Sequence, residues 1–142
     1  MVDNTDLAIL KILQKDASVS FTEIAHQLKV SESTVRKRVE KMRQEGVIKR
    51  FTVIVEPSKI GFNVIAIVGI DVEPSKILEV SQKLCELPET RYVATSTGDH
   101  MIMVEVWAKD TRDLMRIISE RIGAIDGVKR VCPSIISEKL KE

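Results

Sequence analysis

Between Ser33 and Arg43 the chain sets two hydroxyls ahead of a run of cations: Ser33 and Thr34, then Arg36, Lys37, Arg38, Lys41 and Arg43. Such a run is either a solvated helix face, with Glu40 pairing back to Arg36, or a surface for phosphates and base edges. The second use needs polar groups where a helix enters the major groove and cations further along for the backbone. Both are present. Ser33, Thr34, Arg36, Lys37, Arg38 and Lys41 are therefore the candidate DNA-binding residues. A second pair with chemistry in reach is Asp99-His100. As an acid/base pair it lacks support: neighbours on a strand face opposite ways, and no nucleophile, metal set or phosphate loop accompanies it. No catalytic residue is assigned, and the chain is not read as an enzyme. Cys85 and Cys132 are far apart, with His26 and His100 at no ligand spacing to either. Free, mostly buried thiols and no metal site are expected.

The cations need a helix to carry them, and capping signals supply one. Ser20 with Glu23 reads as a capping box opening a first short helix. Ser31 caps a second, with Glu32 in its first turn and Gly46 at its end. Only Leu28-Lys29-Val30-Ser31 separates the two, which makes a helix-turn-helix. With Val35, Val39 and Met42 inward, Ser33, Lys37 and Gln44 point away from the core and Thr34, Arg36 and Lys41 flank them. A helix before these, capped by Asp3 or Asn4, completes a three-helix unit. Its expected core is Leu7, Leu10, Leu13, Phe21, Ile24, Leu28, Val35, Val39 and Met42.

Charge follows this division. Residues 1–50 hold 10 Lys/Arg against 7 Asp/Glu, or +3, and residues 51–142 hold 12 against 14, or −2. A hydrophobic content of 44% is that of a soluble globular protein, with no apolar run of membrane-spanning length. The first residues lack the layout of a secretion signal, so a cytoplasmic protein is expected.

Val47–Val55 is β-branched and alternating and reads as one or two strands. They are either the wing of a winged helix, presenting Lys49 and Arg50 to phosphates, or a plain linker. The organisation is thus a helix-turn-helix domain over 1–50, a strand and hinge over 51–62, and a third segment over 63–142. That last segment runs strand, helix, strand, strand, helix, strand, with a hairpin around Gly98-Asp99. This βαββαβ order predicts a ferredoxin-like α+β domain. Its strands are apolar on both faces: Val64, Ala66, Val68 and Ile70 alternate with Ile65 and Ile67, and Ile102, Val104 and Val106 with Met101, Met103 and Trp107. A wet second face of this kind would be an unusually large apolar patch, so a homodimer through the sheets is expected.

With both halves placed, the chain resembles the Lrp/AsnC family (feast/famine regulators) over nearly its full length. The matching residues are Asp3, Asp6, Ile9-Leu10, Leu13 and Asp16-Ala17, then Glu23-Ile24-Ala25, Leu28, Val30-Ser31, Thr34-Val35 and Arg38-Val39. Further on come Gly46-Val47-Ile48, Pro57, Ile60-Gly61, Ser96-Thr97-Gly98-Asp99 and Gly127-Val128. The resemblance implies a regulator of transcription binding a pseudo-palindromic operator in double-stranded DNA. Its C-terminal domain would form dimers, often assembling to octamers, and bind a free amino acid as effector, with no other cofactor. In the family the effector lies between dimers, around the segments that correspond to Gly98-Asp99-His100-Met101 and Val131–Ser134. Gly98, Asp99, His100, Met101, Pro133 and Ser134 are the candidate effector residues, although Asp99 also suits a plain hairpin turn. Four positions depart from the family pattern. Lys29 replaces a frequent glycine in the turn, Met101 a common acidic residue, and Val131 and Pro133 two frequent hydroxyl side chains. The alternative function is a DNA-binding architectural protein without an effector.

Overall fold

The computed structural model describes residues 1–142, which divide into two compact units, Met1–Ile54 and Val55–Glu142.

The first unit has three helices, α1 (Asn4–Lys15), α2 (Phe21–Leu28) and α3 (Glu32–Gln44). Asp3 caps α1: its carboxylate accepts the Asp6 amide at 2.9 Å, and Asp6 returns the bond to the Asp3 amide at 3.1 Å. Ser20 caps α2 by accepting the Glu23 amide at 3.1 Å. The expected reciprocal bond is not made, because the Glu23 carboxylate takes Gln27 Nε2 at 3.2 Å instead. Lys29 ends α2 in the left-handed region, φ 57°. Its amide reaches the His26 carbonyl at 3.3 Å and the Val30 amide reaches Ala25 at 3.0 Å, the Schellman pattern. Gly46, at φ 76°, also turns left-handed to end α3, with its amide on the Arg43 carbonyl at 3.1 Å and the Ile48 amide on that of Met42 at 3.0 Å. The core is Ile9, Leu13, Ile24, Ala25, Val35, Val39 and Met42, flanked by Leu10, Phe21 and Leu28. Leu7, expected inside, is 56% exposed. The Asp6 carboxylate is tied to the cap and turned inward, and that rotation carries Ile9 and Leu13 into the core on the same face.

Val47–Val55 forms no strand. The residues favour strand, but a strand needs a neighbour to receive its backbone bonds, and none lies beside it in the chain. Phe51, Val53 and Ile54 stay exposed as a result.

The second unit is the expected βαββαβ fold. Its elements are β1 (Val64–Val72), α4 (Ile77–Glu86), β2 (Thr90–Thr95), β3 (Ile102–Ala108), α5 (Thr111–Arg116) and β4 (Val128–Ile135). The antiparallel sheet has the order β2-β3-β1-β4. Ala66, Val68, Ile70 and Val72 of β1 and Ile102, Val104, Val106 and Ala108 of β3 point to one side. There they meet Val80 and Leu84 of α4 and Leu114 of α5. Beyond Arg116 the helix widens into a π-helical turn, Ile117–Ile122, which buries both of its end residues.

The outer face differs from expectation at two places. Met101 turns to the core rather than outward. Glu105 sits among Ile65, Ile67, Met103 and Trp107, where it accepts the Trp107 indole N–H at 3.1 Å and pairs with Lys139 at 2.7 Å. The apolar face therefore carries a neutralised charge at its centre. No helix is long and apolar enough to cross a membrane.

Candidate DNA-binding and ligand sites

α3 begins with a cluster of hydroxyls. Ser31 Oγ accepts the Thr34 amide at 3.1 Å and lies 2.7 Å from Thr34 Oγ1 and 3.1 Å from Ser33 Oγ. Thr34 is thereby half-buried and engaged in the cap, while Ser33 remains exposed. Lys37 is exposed and makes no ion pair. Arg36 pairs with Glu32 rather than with Glu40, the partner of the solvated-face alternative, and its guanidinium lies 5.8 Å from the Phe21 ring centre. Glu40 instead accepts Gln44 Nε2 at 3.4 Å. Lys41 approaches Glu45 at 4.0 Å. Exposed pairs of this kind contribute about 0–1 kcal/mol, so a phosphate can displace them. The surface offered to an anion is thus Ser33, Arg36, Lys37 and Lys41.

Arg38 does not belong to that surface. Its Nη1 donates to both Asp3 carboxylate oxygens, at 2.7 and 2.6 Å, and to Asp6 at 3.2 Å. The guanidinium holds the Asp3 carboxyl down at about 2, helped by the Asp6 amide. Arg38 itself is raised further above its usual range, mainly by the bond to Asp3. It clasps α3 to the N-terminus of α1, where the helix dipole already favours the two carboxylates.

In the second unit the candidate effector residues separate. Gly98 and Asp99 lie exposed in the connection between β2 and β3, which spans residues 96–101 and is closed by the Ser96 amide donating to the Met101 carbonyl at 2.8 Å. Met101 packs on the core. In the β1–β4 register Pro133 opposes Val68 and Ser134 opposes Ile67, so the two lie on opposite faces. His100 folds back onto the outer face, with Nδ1 3.1 Å from Asp71 Oδ1. Its ring occupies the space above Gly69, where a β-carbon would overlap the imidazole. Gly69 opposes Cys132 in the same register.

This arrangement corrects one expectation, that both thiols are mostly buried. Cys85 is exposed and Cys132 half-buried, both free. The metal-competent atoms of Asp71, His100 and Cys132 lie within 4.8 Å of one another. Sequence spacing could not reveal the set, since its members come from β1, the β2–β3 connection and β4. The one available signal was Gly69, a glycine inside a mostly β-branched strand, which marks a close approach.

Comparison with known proteins extends over both units. Residues 2–49 match a family described as winged helix-turn-helix DNA-binding, and residues 65–142 match the Lrp/AsnC ligand binding domain. The HTH-type transcriptional regulator LrpA of Pyrococcus horikoshii is 50% identical, over 99% of this chain and all of its own. LrpA1 of Halobacterium salinarum is 40% identical over 98% of each chain. Among solved structures, E. coli AsnC superposes with a TM-score of 0.88 at 28% identity, covering 100% of this chain and 96% of its own. Sharing both domains in this order and half its residues with a named regulator, the chain belongs to the Lrp/AsnC family of transcription regulators, which join a DNA-binding helix-turn-helix to a ligand-binding domain.

Proposed function

We propose that this regulator binds a pseudo-palindromic operator as a homodimer, and that a free amino acid held by its C-terminal domain tunes that binding. The unpaired Lys37, flanked by the weakly held Arg36 and Lys41 on one exposed side of α3, carries the sequence-specific part of the reading. A helix presenting polar groups at its start and cations along its length suits a major groove, and two of them must be paired to read two half-sites. Pairing is supported by the apolar surface left uncovered in one chain: Phe51, Val53 and Ile54 in the first unit. Ile65, Ile67, Met103 and Trp107 add to it on the outer sheet face. The site of action is the cytoplasm, where such DNA lies.

Ser134 and His100, on the outer face, offer a hydroxyl and an imidazole to an amino acid. The reading without an effector draws on Met101, which packs inward, and on Pro133, which faces away from Ser134. One experiment separates them. DNA selected from a random pool is bound to the protein in an anisotropy assay, and each of the twenty amino acids is added in turn. A shift in affinity with one of them supports the effector; no shift with any, beside intact DNA binding, leaves the architectural role. Failure to select any sequence overturns the DNA reading itself.

A further inference from the structure

The side chains of Asp71, His100 and Cys132 form a donor set of which the effector reading uses only His100. Their ligand atoms converge to within 4.8 Å on the outer face of the sheet. A tetrahedral zinc centre, with bonds of about 2.0 Å to nitrogen and oxygen and about 2.3 Å to sulfur, needs donors roughly 3.3–3.5 Å apart. The His100–Asp71 separation, 3.1 Å, is already close to that edge, and the Cys132 thiol lies within 4.8 Å of both donors.

Two further observations favour a built site. Gly69 stands under the imidazole, and any larger residue there would expel the ring. Its register partner is Cys132, so the one gap in β1 lies directly beside the thiol. Arg130 opposes Asp71 in the same register, yet the carboxylate turns to His100 rather than to the guanidinium.

We propose that Asp71, His100 and Cys132 bind a divalent transition metal ion of the zinc class. The donors select the metal. Thiolate favours zinc and cuprous copper, imidazole favours zinc, copper, iron and nickel, and zinc satisfies both as well as carboxylate oxygen. Charge agrees, because a thiolate and a carboxylate neutralise a dication and leave a centre suited to a half-buried face. Three protein donors leave a fourth position for water or an external ligand, as in sites that exchange ligands. A bound ion would fasten β1, β4 and the β2–β3 connection to one another.

The test uses the full chain without a histidine tag, reduced and freed of metal by chelator. Cobalt(II) serves as the probe. The expected result is one equivalent bound per chain, with a thiolate-to-cobalt charge-transfer band and the intense visible bands of a tetrahedral ion, all displaced by zinc. Cys132→Ser should abolish the charge-transfer band. Asp71→Asn and His100→Gln should weaken binding by at least the roughly tenfold to hundredfold that loss of an outer-shell partner costs. Should a variant fail to fold, X-ray absorption of the zinc-loaded wild type decides: it should show one sulfur among otherwise nitrogen and oxygen scatterers. The proposal is overturned by absence of a thiolate band, by a band that persists in Cys132→Ser, or by a zinc spectrum without a sulfur scatterer.

Discussion

The polar groups of the two units are kept in opposite conditions. On α3, Arg36, Lys37 and Lys41 are exposed, and their pairs with Glu32 and Glu45 are of the kind that water and salt dissolve. On the outer sheet face, Glu105 with Lys139 and Asp71 with His100 are half-buried and matched among apolar neighbours. The difference is one of readiness. A face that must meet a polyanion keeps its cations loosely committed, while a face rich in Ile, Met and Trp has its carboxylates hydrogen-bonded before anything covers it. Arg38 shows the boundary inside a single helix: one residue from Lys37, it is fixed to Asp3 and Asp6 and acts as structure.

The largest expected effect separates the units outright. Ile24→Ala removes a fully buried side chain from the small helical core and should cost about 2–5 kcal/mol there. Calorimetry should show a lowered transition for the helical unit and loss of DNA binding, with ligand binding by the sheet unit intact. Loss of both together would show that the two units unfold as one.

Lys37→Ala should weaken specific DNA binding by about 1–3 kcal/mol without moving Tm. Arg38→Ala should do the reverse first, lowering Tm by leaving the Asp6 carboxylate, 8% exposed, without its cation. Anisotropy and thermal melts on the two variants check the contrast, which collapses if both lose affinity at unchanged Tm.

Lys29→Gly should stabilise by about 1 kcal/mol, since a left-handed conformation costs a side chain more than it costs glycine. Chemical denaturation measures it. A gain confined to the helical unit would sharpen the distinction between the units.

The smallest effect is an acid one. Asp3 has its folded pKa lowered to about 2, so its contribution is complete above the unfolded carboxylate value of about 4 and fades as pH falls towards about 2. Melts of wild type and Asp3→Asn should differ above pH ~4 and converge below it.

Local signals sufficed for the helical unit because its caps and turn lie within a few residues of the groups they position: Asp3, Ser20 and Ser31 all cap where their spacing predicts. Arg38 was misread because its Cα lies only about 60° from that of Val35 around the helix. From there its long stem reaches α1, and angle alone does not say which way such a stem swings. The βαββαβ order was equally legible, since short apolar, largely β-branched runs are separated by segments that carry an apolar stripe at helical spacing. The Asp71, His100 and Cys132 set was not, because it depends on which residue of β4 opposes Gly69, and a slip of one would turn Cys132 to the other face. The strand read over Val47–Val55 failed for a related reason: alternation signals willingness to pair, and says nothing of a partner.

The π-helical turn makes this domain unusually indifferent to losing a residue. In an ordinary α-helix Ile117 and Ile122, five apart, would project about 140° from each other, yet both are 0% exposed here because the turn is widened, with the Gly123 amide reaching back to the Ile118 carbonyl at 2.7 Å. Excising Ser119 would set the two isoleucines four apart on a regular helix, about 40° from alignment, with both still facing the sheet. A shortening that elsewhere would throw an entire stripe out of phase should here only tighten the coil.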